Sequence, residues 1–226
     1  VDSLAACPSL HKANLNGCEL VEGNVGALAV LRGLEVVDFS GCHRLSGDVG
    51  FLAELAPTSA LDAGLTSVEL NGCRRLTGSL EGLARNRNLV RVELSGCPRL
   101  VGSLRDLERL HKLRTLHLNG LRLLRGGLRR LRGLRHLSSL GLRDCALLTG
   151  DLAGLGCLRP GLRALDLSGC AAIAGDVACL AKCADLKQVP PPPLPAAAAA
   201  VAAAAMLLFV PLLFCFCCLF FYSSSS

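Results

Sequence analysis

A unit of about two dozen residues recurs seven times along this chain of 226 residues. One position of the unit, called the marker position here, holds Cys18, Cys42, Cys73, Cys97, Leu121, Cys145 and Cys170 in the successive copies. The intervals between these residues are 24, 31, 24, 24, 24 and 25 residues. Every copy has glycine five residues after the marker position and leucine ten residues after it. Such repetition predicts one small structural unit per copy, stacked against its neighbours.

Within each unit the spacing of the apolar residues changes from two to three. The sequence LVRVEL at residues 89–94 alternates in the manner of a strand that buries one face. The glycine that follows permits a backbone conformation closed to other residues, or a close approach of neighbouring coils. The later leucines, spaced by three, are typical of a short 3-10 or helical turn that faces the core. A single coil cannot bury its own leucines, so the pattern predicts a parallel sheet on one side of a stack and short turns on the other.

Aliphatic side chains must fill the core of this stack, because aromatic residues make up only 4% of the chain and tryptophan is absent.

The interval of 31 residues predicts a loop over residues 54–64 that bulges out of the stack. Residues 1–189 are expected to form a solenoid of about seven repeats, without a clear capping repeat at either end.

The pattern LxxVxLxxCxxLxGxL over residues 89–104 resembles the leucine-rich repeat family, and the resemblance covers roughly residues 4–189. The 24-residue length and the LxGxL segment are similar to the plant-type subclass. Two features depart from it: cysteine stands where that subclass usually has asparagine, and the Ile-Pro that often follows the glycine is missing. The resemblance implies an α/β repeat solenoid, a horseshoe with a parallel β-sheet on the concave face and short 3-10 or helical turns on the convex face. It also implies a buried ladder in which each cysteine bonds the backbone of the next coil.

The 13 cysteines do not have the spacing of a metal site. Zinc sites use paired cysteines together with a second pair or histidines, and neither Cys179 and Cys183 nor the last three cysteines, Cys215, Cys217 and Cys218, have a histidine nearby. The sequence therefore predicts no metal and no cofactor, while a disulfide between Cys179 and Cys183 is an open alternative.

Reduced thiols, together with the absence of any Asn-x-Ser/Thr, favour a cytosolic setting for the repeats.

Two columns of polar residues are predicted to project from the concave strand face. The first column contains Asn14, Asp38, Glu69, Glu93, His117, Gly141 and Asp166, and the second contains Asn16, Ser40, Asn71, Ser95, Asn119, Arg143 and Ser168. The predicted partner-binding residues are Asp38, Glu69, Glu93, His117, Arg143 and Asp166, for a protein partner that exposes lysine or arginine. The alternative is that any solvated strand face needs polar residues, without a partner.

Basic residues gather later in the chain, where residues 76–226 carry nineteen lysines and arginines against nine acidic residues. The predicted patch for an anionic partner, on the convex side, contains Arg122, Arg125, Arg129, Arg130, Arg132 and Arg135. An anionic lipid suits such a patch better than nucleic acid, because aromatic stacking platforms are missing. A solvated basic face is the alternative.

The sequence contains no phosphate-binding glycine loop, nucleophile elbow or HExxH zinc motif, so we expect neither an enzyme nor a small-molecule substrate. The predicted function is a non-catalytic protein–protein interaction module. One alternative is a receptor-like extracellular domain that recognises a peptide or glycan, and another is a regulatory subunit of a larger enzyme assembly.

The C-terminal residues differ in composition from the repeats. Residues 190–195 are expected to form a proline-rich spacer, and residues 196–222 contain no charged residue and are long enough to cross a bilayer. This segment predicts a C-terminal membrane anchor, followed by a serine tail at 223–226, with the repeats on the cytoplasmic side. A location outside the cell, and a truncated or mistranslated low-complexity end, remain as alternatives.

Overall fold

The computed structural model describes residues 1–58, 64–156, 158, 161–180, 183 and 186. All of them belong to one unit of the chain, Val1–Pro192. The predicted spacer at 190–195, anchor at 196–222 and serine tail at 223–226 lie outside the described residues, so these three stay predictions. No helix in the described part of the chain is both long enough and apolar enough to span a membrane.

Seven short strands, one from each coil, form a parallel sheet that we call the first sheet. Its strands follow one another in chain order, as the repeat pattern predicts. The middle residue of each strand points into the core, and Val68, Val92 and Leu116 are completely buried there. The strands are β1 (Lys12–Asn14), β3 (Val36–Asp38), β5 (Ser67–Glu69), β7 (Arg91–Glu93), β9 (Thr115–His117), β11 (Ser139–Gly141) and β13 (Ala164–Asp166).

A second parallel sheet runs along the stack, and the sequence reasoning did not anticipate it. Its strands contain the repeated glycine, for which only a turn or a close approach was expected. The residue two positions before the glycine is leucine in five of the seven coils, and these leucines are buried in the core, so this segment also alternates with a period of two. The strands are β2 (Glu22–Asn24), β4 (Arg44–Asp48), β6 (Arg75–Ser79), β8 (Leu100–Ser103), β10 (Leu123–Gly127), β12 (Leu148–Asp151) and β14 (Ile173–Ala174).

The glycine in the second sheet is required for two physical reasons. Gly78 has a φ of +104°, which L side chains rarely adopt. At Gly102 the φ is ordinary, but an added Cβ would lie 2.8 Å from Cγ of Leu80 in the preceding coil. Both predicted roles of the glycine are therefore present, within a strand rather than a turn.

Short helical turns close each coil after the second sheet. All are 3-10 helices except one α-helical turn, α1 (Leu104–Leu107). The leucine ten residues after the marker position is buried in every coil, for example Leu83 and Leu107. The 3-10 turns are Asp2–Ala6, Val25–Val30, Val49–Ala53, Leu80–Arg85, Leu128–Gly133, Leu152–Leu155 and Val177–Leu180.

A polar cap starts most of these turns. Six residues after the marker position, the side chain of Asn24, Asp48, Ser79, Ser103, Asp151 or Asp176 accepts a hydrogen bond from a backbone N–H two residues further on. Gly127 occupies this position in the fifth coil and has no side chain to contribute. Capping satisfies a backbone donor that the turn leaves open.

The two sheets and the turns enclose one continuous aliphatic core. Its largest buried ring is Phe39, and most of the remaining volume is leucine. In the first sheet Val36 pairs with Ser67, which lies 31 residues later in the chain, whereas Ser67 pairs with Arg91, only 24 residues later. The extra residues of the long interval therefore lie between the turn Val49–Ala53 and β5, where the loop was predicted.

Candidate functional site

The first predicted column of polar residues is continuous across the first sheet. Backbone register pairs Asp38 with Glu69, Glu69 with Glu93, and Glu93 with His117. The column continues through Gly141 to Asp166. Because neighbouring strands lie about 4.8 Å apart, these residues form one row on the face of the sheet. The alignment is as predicted, while the role of these residues in binding stays a prediction.

Asp38 differs from the predicted exposed charge, because only 7% of the residue is accessible to solvent. Its Oδ2 accepts a hydrogen bond from Nδ2 of Asn16 at 3.2 Å, and its Oδ1 accepts one from the backbone N–H of Ser40 at 3.1 Å. The carboxylate thus ties the first two coils together. A partner would have to displace these contacts to reach it, so Asp38 is a structural residue of this face.

Arg91 is the residue of this face that the sequence reasoning missed. Its Nη1 lies 2.8 Å from Oε1 of Glu93, and its Nε lies 3.6 Å from Oε1 of Glu69. The guanidinium therefore bridges two carboxylates of the predicted column and offsets part of their charge. The alternation of side chains along the strand could have predicted this position, because Arg91 lies two residues before Glu93 and projects to the same side.

Arg91 belongs to a third outward column at the start of each strand. Backbone register aligns the members of this column across the first sheet. In chain order they are Lys12, Val36, Ser67, Arg91, Thr115, Ser139 and Ala164.

His117 connects the first column to the third. Its Nε2 lies at hydrogen-bond distance, 2.7 Å, from Oγ of Ser139, and its Nδ1 lies 3.7 Å from Oε1 of Glu93. Glu93 is also held by Nδ2 of Asn71, which donates to Oε2 at 2.9 Å. Three adjacent strands, β7, β9 and β11, therefore contribute one connected group, Arg91, Glu93, His117 and Ser139, which we call the polar cluster.

The polar cluster has the residue types of a serine nucleophile, a histidine base and an orienting carboxylate, but hydrogen bonds do not join all three of them in this structure. The 3.7 Å between Nδ1 of His117 and Oε1 of Glu93 exceeds hydrogen-bond length. Acyl transfer also needs free backbone donors for the oxyanion. The backbone N–H of Ser139 already donates to the carbonyl of Arg114 at 3.0 Å, so it is not available for that role.

The second predicted column links the coils to one another. Oδ1 of Asn71 accepts a hydrogen bond from the backbone N–H of Ser95 at 2.9 Å, and Oγ of Ser95 accepts one from the backbone N–H of Asn119 at 3.2 Å. Oδ1 of Asn119 then accepts from the backbone N–H of Arg143 at 2.8 Å. These side chains make the face rigid, and fewer of their polar atoms are free for a partner than the column suggested.

Arg143 and Asp166 lie toward the far end of the first sheet and do not join the polar cluster. The exposed guanidinium of Arg143 lies 3.4 Å from the carboxylate of Asp144, measured from Nε to Oδ2. Oδ1 of Asp166 accepts a hydrogen bond from the backbone N–H of Ser168 at 3.0 Å. The predicted binding residues therefore divide into a central group around Glu93 and separate residues at either end.

The predicted basic patch is divided in a similar way. All six arginines are exposed: Arg122, Arg125, Arg129, Arg130, Arg132 and Arg135. Arg129, Arg130 and Arg132 line a cleft of about 620 Å³ beside the turn Leu128–Gly133, together with Glu108, Arg109, His111 and Gly133. Arg125 instead belongs to β10 in the second sheet, where it is registered with Ser103. The patch is therefore not a single site.

Five of the six marker cysteines are buried and bond the backbone of the preceding coil, whereas the resemblance implied the next coil; Cys18, in the first coil, is exposed. Sγ of Cys73 donates to the carbonyl oxygen of Phe39 at 3.1 Å, and Sγ of Cys97 donates to that of Leu70 at 3.0 Å. Cys42, Cys145 and Cys170 make the equivalent bonds. Leu121 fills the same position without a donor.

Burial keeps these thiols in the protonated form. It raises the pKa of Cys73 and of Cys145 to about 12 and that of Cys97 to about 11. The thiolate is the form that binds metals and reacts, so these side chains act as small apolar residues with one donor. Cys179 and Cys183 are both free thiols. The described residues contain no group of three or more metal-binding side chains.

Comparison with solved structures places this architecture among known folds. Internalin C2 from Listeria monocytogenes is 17% identical, over 82% of this chain and 83% of its own length, with a TM-score of 0.50. A leucine-rich-repeat protein from Leptospira interrogans is 16% identical, over 82% of this chain and 50% of its own length, with a TM-score of 0.51. The Arabidopsis receptor kinase HAESA, solved with the peptide hormone IDA and the co-receptor SERK1, is 16% identical, over 77% of this chain and 32% of its own length, with a TM-score of 0.49.

The chain thus spans half or less of the length of two of these proteins. At such identities the likeness shows the fold alone, an α/β repeat solenoid of the leucine-rich-repeat type. No protein-family model and no curated protein sequence matches the chain.

Proposed function

We propose that this leucine-rich-repeat solenoid is a non-catalytic module that binds a protein partner on the outward face of its first sheet. The observation that carries the proposal is the polar cluster, in which Arg91, Glu93, His117 and Ser139 from three adjacent strands hold one another in place. A pre-organised surface loses little side-chain entropy on binding, which favours association.

The size of the face suits a protein better than a small molecule. Seven strands at about 4.8 Å spacing span about 29 Å, comparable to one side of a typical protein–protein interface. The polar cluster shows both signs of charge, since the Arg91 side chain is 47% exposed beside the carboxylates of Glu69 and Glu93. We therefore expect a partner that places a basic group near Glu69 and an acidic group near Arg91.

Affinity capture with two charge-reversal variants tests this function. Glu69→Lys with Glu93→Lys should weaken capture of a specific partner at least tenfold, because like charges would then face the partner's basic group. Glu81→Lys is the matched control, since this exposed residue of the turn Leu80–Arg85 belongs to the same coil but not to the first sheet. A partner that binds all three forms equally would contradict the proposal, provided that circular dichroism shows each variant to be folded.

We also propose that the repeats are a variant of the plant-type subclass in which cysteine replaces the usual ladder asparagine. The buried thiols that donate to backbone carbonyls of another coil and the LxGxL strands of the second sheet support this. Cys97→Asn tests it: the amide should replace the thiol as donor and keep the unfolding free energy within about 1 kcal/mol of wild type. A much larger loss would separate these repeats from that subclass.

For its location, we propose a membrane-tethered protein whose repeats face the cytoplasm, with residues 196–222 as the anchor. The uncharged sequence of that segment and the free marker thiols support the proposal. Cell fractionation shows whether the protein is in the membrane fraction, and protease treatment of intact and permeabilised cells shows on which side the repeats lie. If the repeats are digested only after permeabilisation, the result fits the proposal. If they are digested on intact cells, the result favours the extracellular receptor alternative.

A further inference from the structure

We propose that the cleft between the helical turns of the fourth and fifth coils binds a compact anion that carries several clustered phosphate groups. The cleft of about 620 Å³ lies on the turns of the solenoid, away from the first sheet and its polar cluster. Arg129, Arg130 and Arg132 line it from the turn Leu128–Gly133, and Arg109 and His111 line it from the coil before.

The cleft carries a large excess of positive charge. Four arginines line it against a single carboxylate, that of Glu108. Glu108 is held by Arg130, whose Nη1 lies 3.3 Å from Oε2. Within the described part of the chain, no carboxylate lies at ion-pair distance from Arg109, Arg129 or Arg132, so their guanidinium groups are open to an anion.

His111 fixes the wall of the cleft on the side of the fourth coil. Its Nδ1 lies 3.2 Å from the carbonyl oxygen of Gly133 in the next coil. Since a carbonyl oxygen only accepts, Nδ1 must carry the proton and donate it in this bond. The ring therefore joins the two coils that form the cleft.

A second, smaller cleft extends the positive surface toward the third coil. It has a volume of about 280 Å³ and is lined by Arg87, Arg109 and His111. Arg109 and His111 line both clefts, so the two clefts adjoin and together are lined by five arginines from three successive coils. A single phosphate would use only part of this charge.

Clustered phosphates fit the chemistry of this lining better than other anions. The planar guanidinium group donates paired hydrogen bonds that match the geometry of phosphate oxygens. A nucleic acid would also need aromatic platforms on which bases can stack, and no aromatic residue of the described chain other than His111 lines either cleft. Free polyphosphates and phosphoinositide headgroups share the required chemistry.

Titration calorimetry with inorganic tripolyphosphate tests the binding site. The full 226-residue chain, kept in solution with a non-ionic detergent, should bind tripolyphosphate more tightly than sulfate. Arg129→Gln with Arg132→Gln should weaken binding at least tenfold, because two charge-assisted contacts are lost. The matched control is Arg122→Gln with Arg125→Gln, which removes the same charge from exposed residues outside the cleft and should change the affinity less than twofold.

Three outcomes would overturn the proposal: no binding of tripolyphosphate, equal weakening by the two double variants, or no preference over sulfate. Equal weakening would mean that the affinity for tripolyphosphate depends only on the net charge of the protein. Thermal unfolding by circular dichroism shows that the variants are folded, and binding at 50 and 150 mM salt measures the number of ionic contacts.

Vesicles then distinguish the two sources of phosphate. Phosphatidylcholine vesicles with and without phosphatidylinositol bisphosphate are compared, so that any contribution of residues 196–222 cancels. An increment with the phosphoinositide that is lost in Arg129→Gln/Arg132→Gln assigns the cleft to a lipid headgroup. Tripolyphosphate binding without such an increment assigns it to a soluble polyphosphate.

Discussion

At the scale of single residues, the buried thiols explain why cysteine recurs in this chain. Each of the five buried marker thiols is small enough for the tight space between coils and donates to a carbonyl of the preceding coil. The carbonyl of Leu70, for example, also accepts a hydrogen bond from the backbone N–H of Cys73, so the thiol is its second donor. A hydrogen bond of this kind contributes about 0.5–1.5 kcal/mol, so the thiol contributes through this bond more than through its reactivity. Leu121 shows that an apolar residue is tolerated at one of the seven positions.

Replacement of one marker cysteine should reveal this contribution. Cys97→Ala removes one of the two donors to the Leu70 carbonyl, which keeps its bond from the backbone N–H of Cys73, and leaves a small void, so the free energy of unfolding in urea should fall by about 1–2 kcal/mol. Cys18→Ala is the control, because Cys18 has the same marker position but is exposed. Equal effects of the two substitutions would show that the buried bond is unimportant.

The raised pKa of Cys73, about 12 in the folded chain against the usual 9, makes stability depend on alkaline pH. The unfolded thiol ionises above pH 9 while the folded thiol stays protonated, so stability is complete below pH 9 and is lost as the pH rises toward 12. The loss is about 1.4 kcal/mol per pH unit for each such thiol.

Urea unfolding at pH 8 and pH 10 measures this dependence. Cys73→Ala should reduce the loss of stability between the two pH values by about 1 kcal/mol. Leu121→Ala is a matched control, because it also truncates a buried marker residue but removes no titrating group. If the wild type and Cys73→Ala respond identically to pH, the pKa of Cys73 does not differ between the folded and the unfolded chain.

At the scale of elements, each coil contains two short strands and a turn, and a polar side chain caps the start of the turn in six of the seven coils. The first strand follows directly from the LxxVxL alternation. The second strand was missed because its glycine is usually unfavourable in a strand. Here the positive φ and the contact with the preceding coil require glycine, as at Gly78 and Gly102, so the usual preference is overridden.

Exchange of the cap residue should change stability in opposite directions in two coils. Asp151→Ala removes the acceptor for the backbone N–H of Ala153 and should lower the unfolding free energy by about 1 kcal/mol. Gly127→Asp adds the missing cap, because Gly127 already has an extended backbone similar to that of Asp151, and should raise it by a few tenths of a kcal/mol. Destabilisation by Gly127→Asp would show that the fifth coil cannot use this cap.

At the scale of the whole molecule, each coil packs mainly on the coil before and the coil after it. Stability is then approximately a sum of coil and interface contributions. A coil in the middle of the stack has two interfaces, whereas the first described coil has one. The polar cluster and the two arginine-lined clefts lie in the third to sixth coils, where each coil has an interface on both sides.

Matched substitutions in a central and a first coil test this description. Leu131→Ala and Leu28→Ala truncate completely buried leucines at equivalent positions. Leu131→Ala should lower global stability by about 2–5 kcal/mol. Leu28→Ala should instead increase hydrogen exchange mainly in the first coil, around residues 12–30, with a smaller global effect. Exchange that increases evenly over the whole solenoid after Leu28→Ala would contradict the additive description.

The sequence alone determined the stack and the row formed by Glu69, Glu93 and His117. A constant repeat length places equivalent residues side by side once parallel strands pair, so the row follows from chain spacing. Tertiary structure decided the burial of Asp38, the bridging by Arg91 and the gathering of only three of the six predicted arginines in one cleft. These features depend on side-chain conformations and on contacts of 3–4 Å between coils, which a repeat period does not specify.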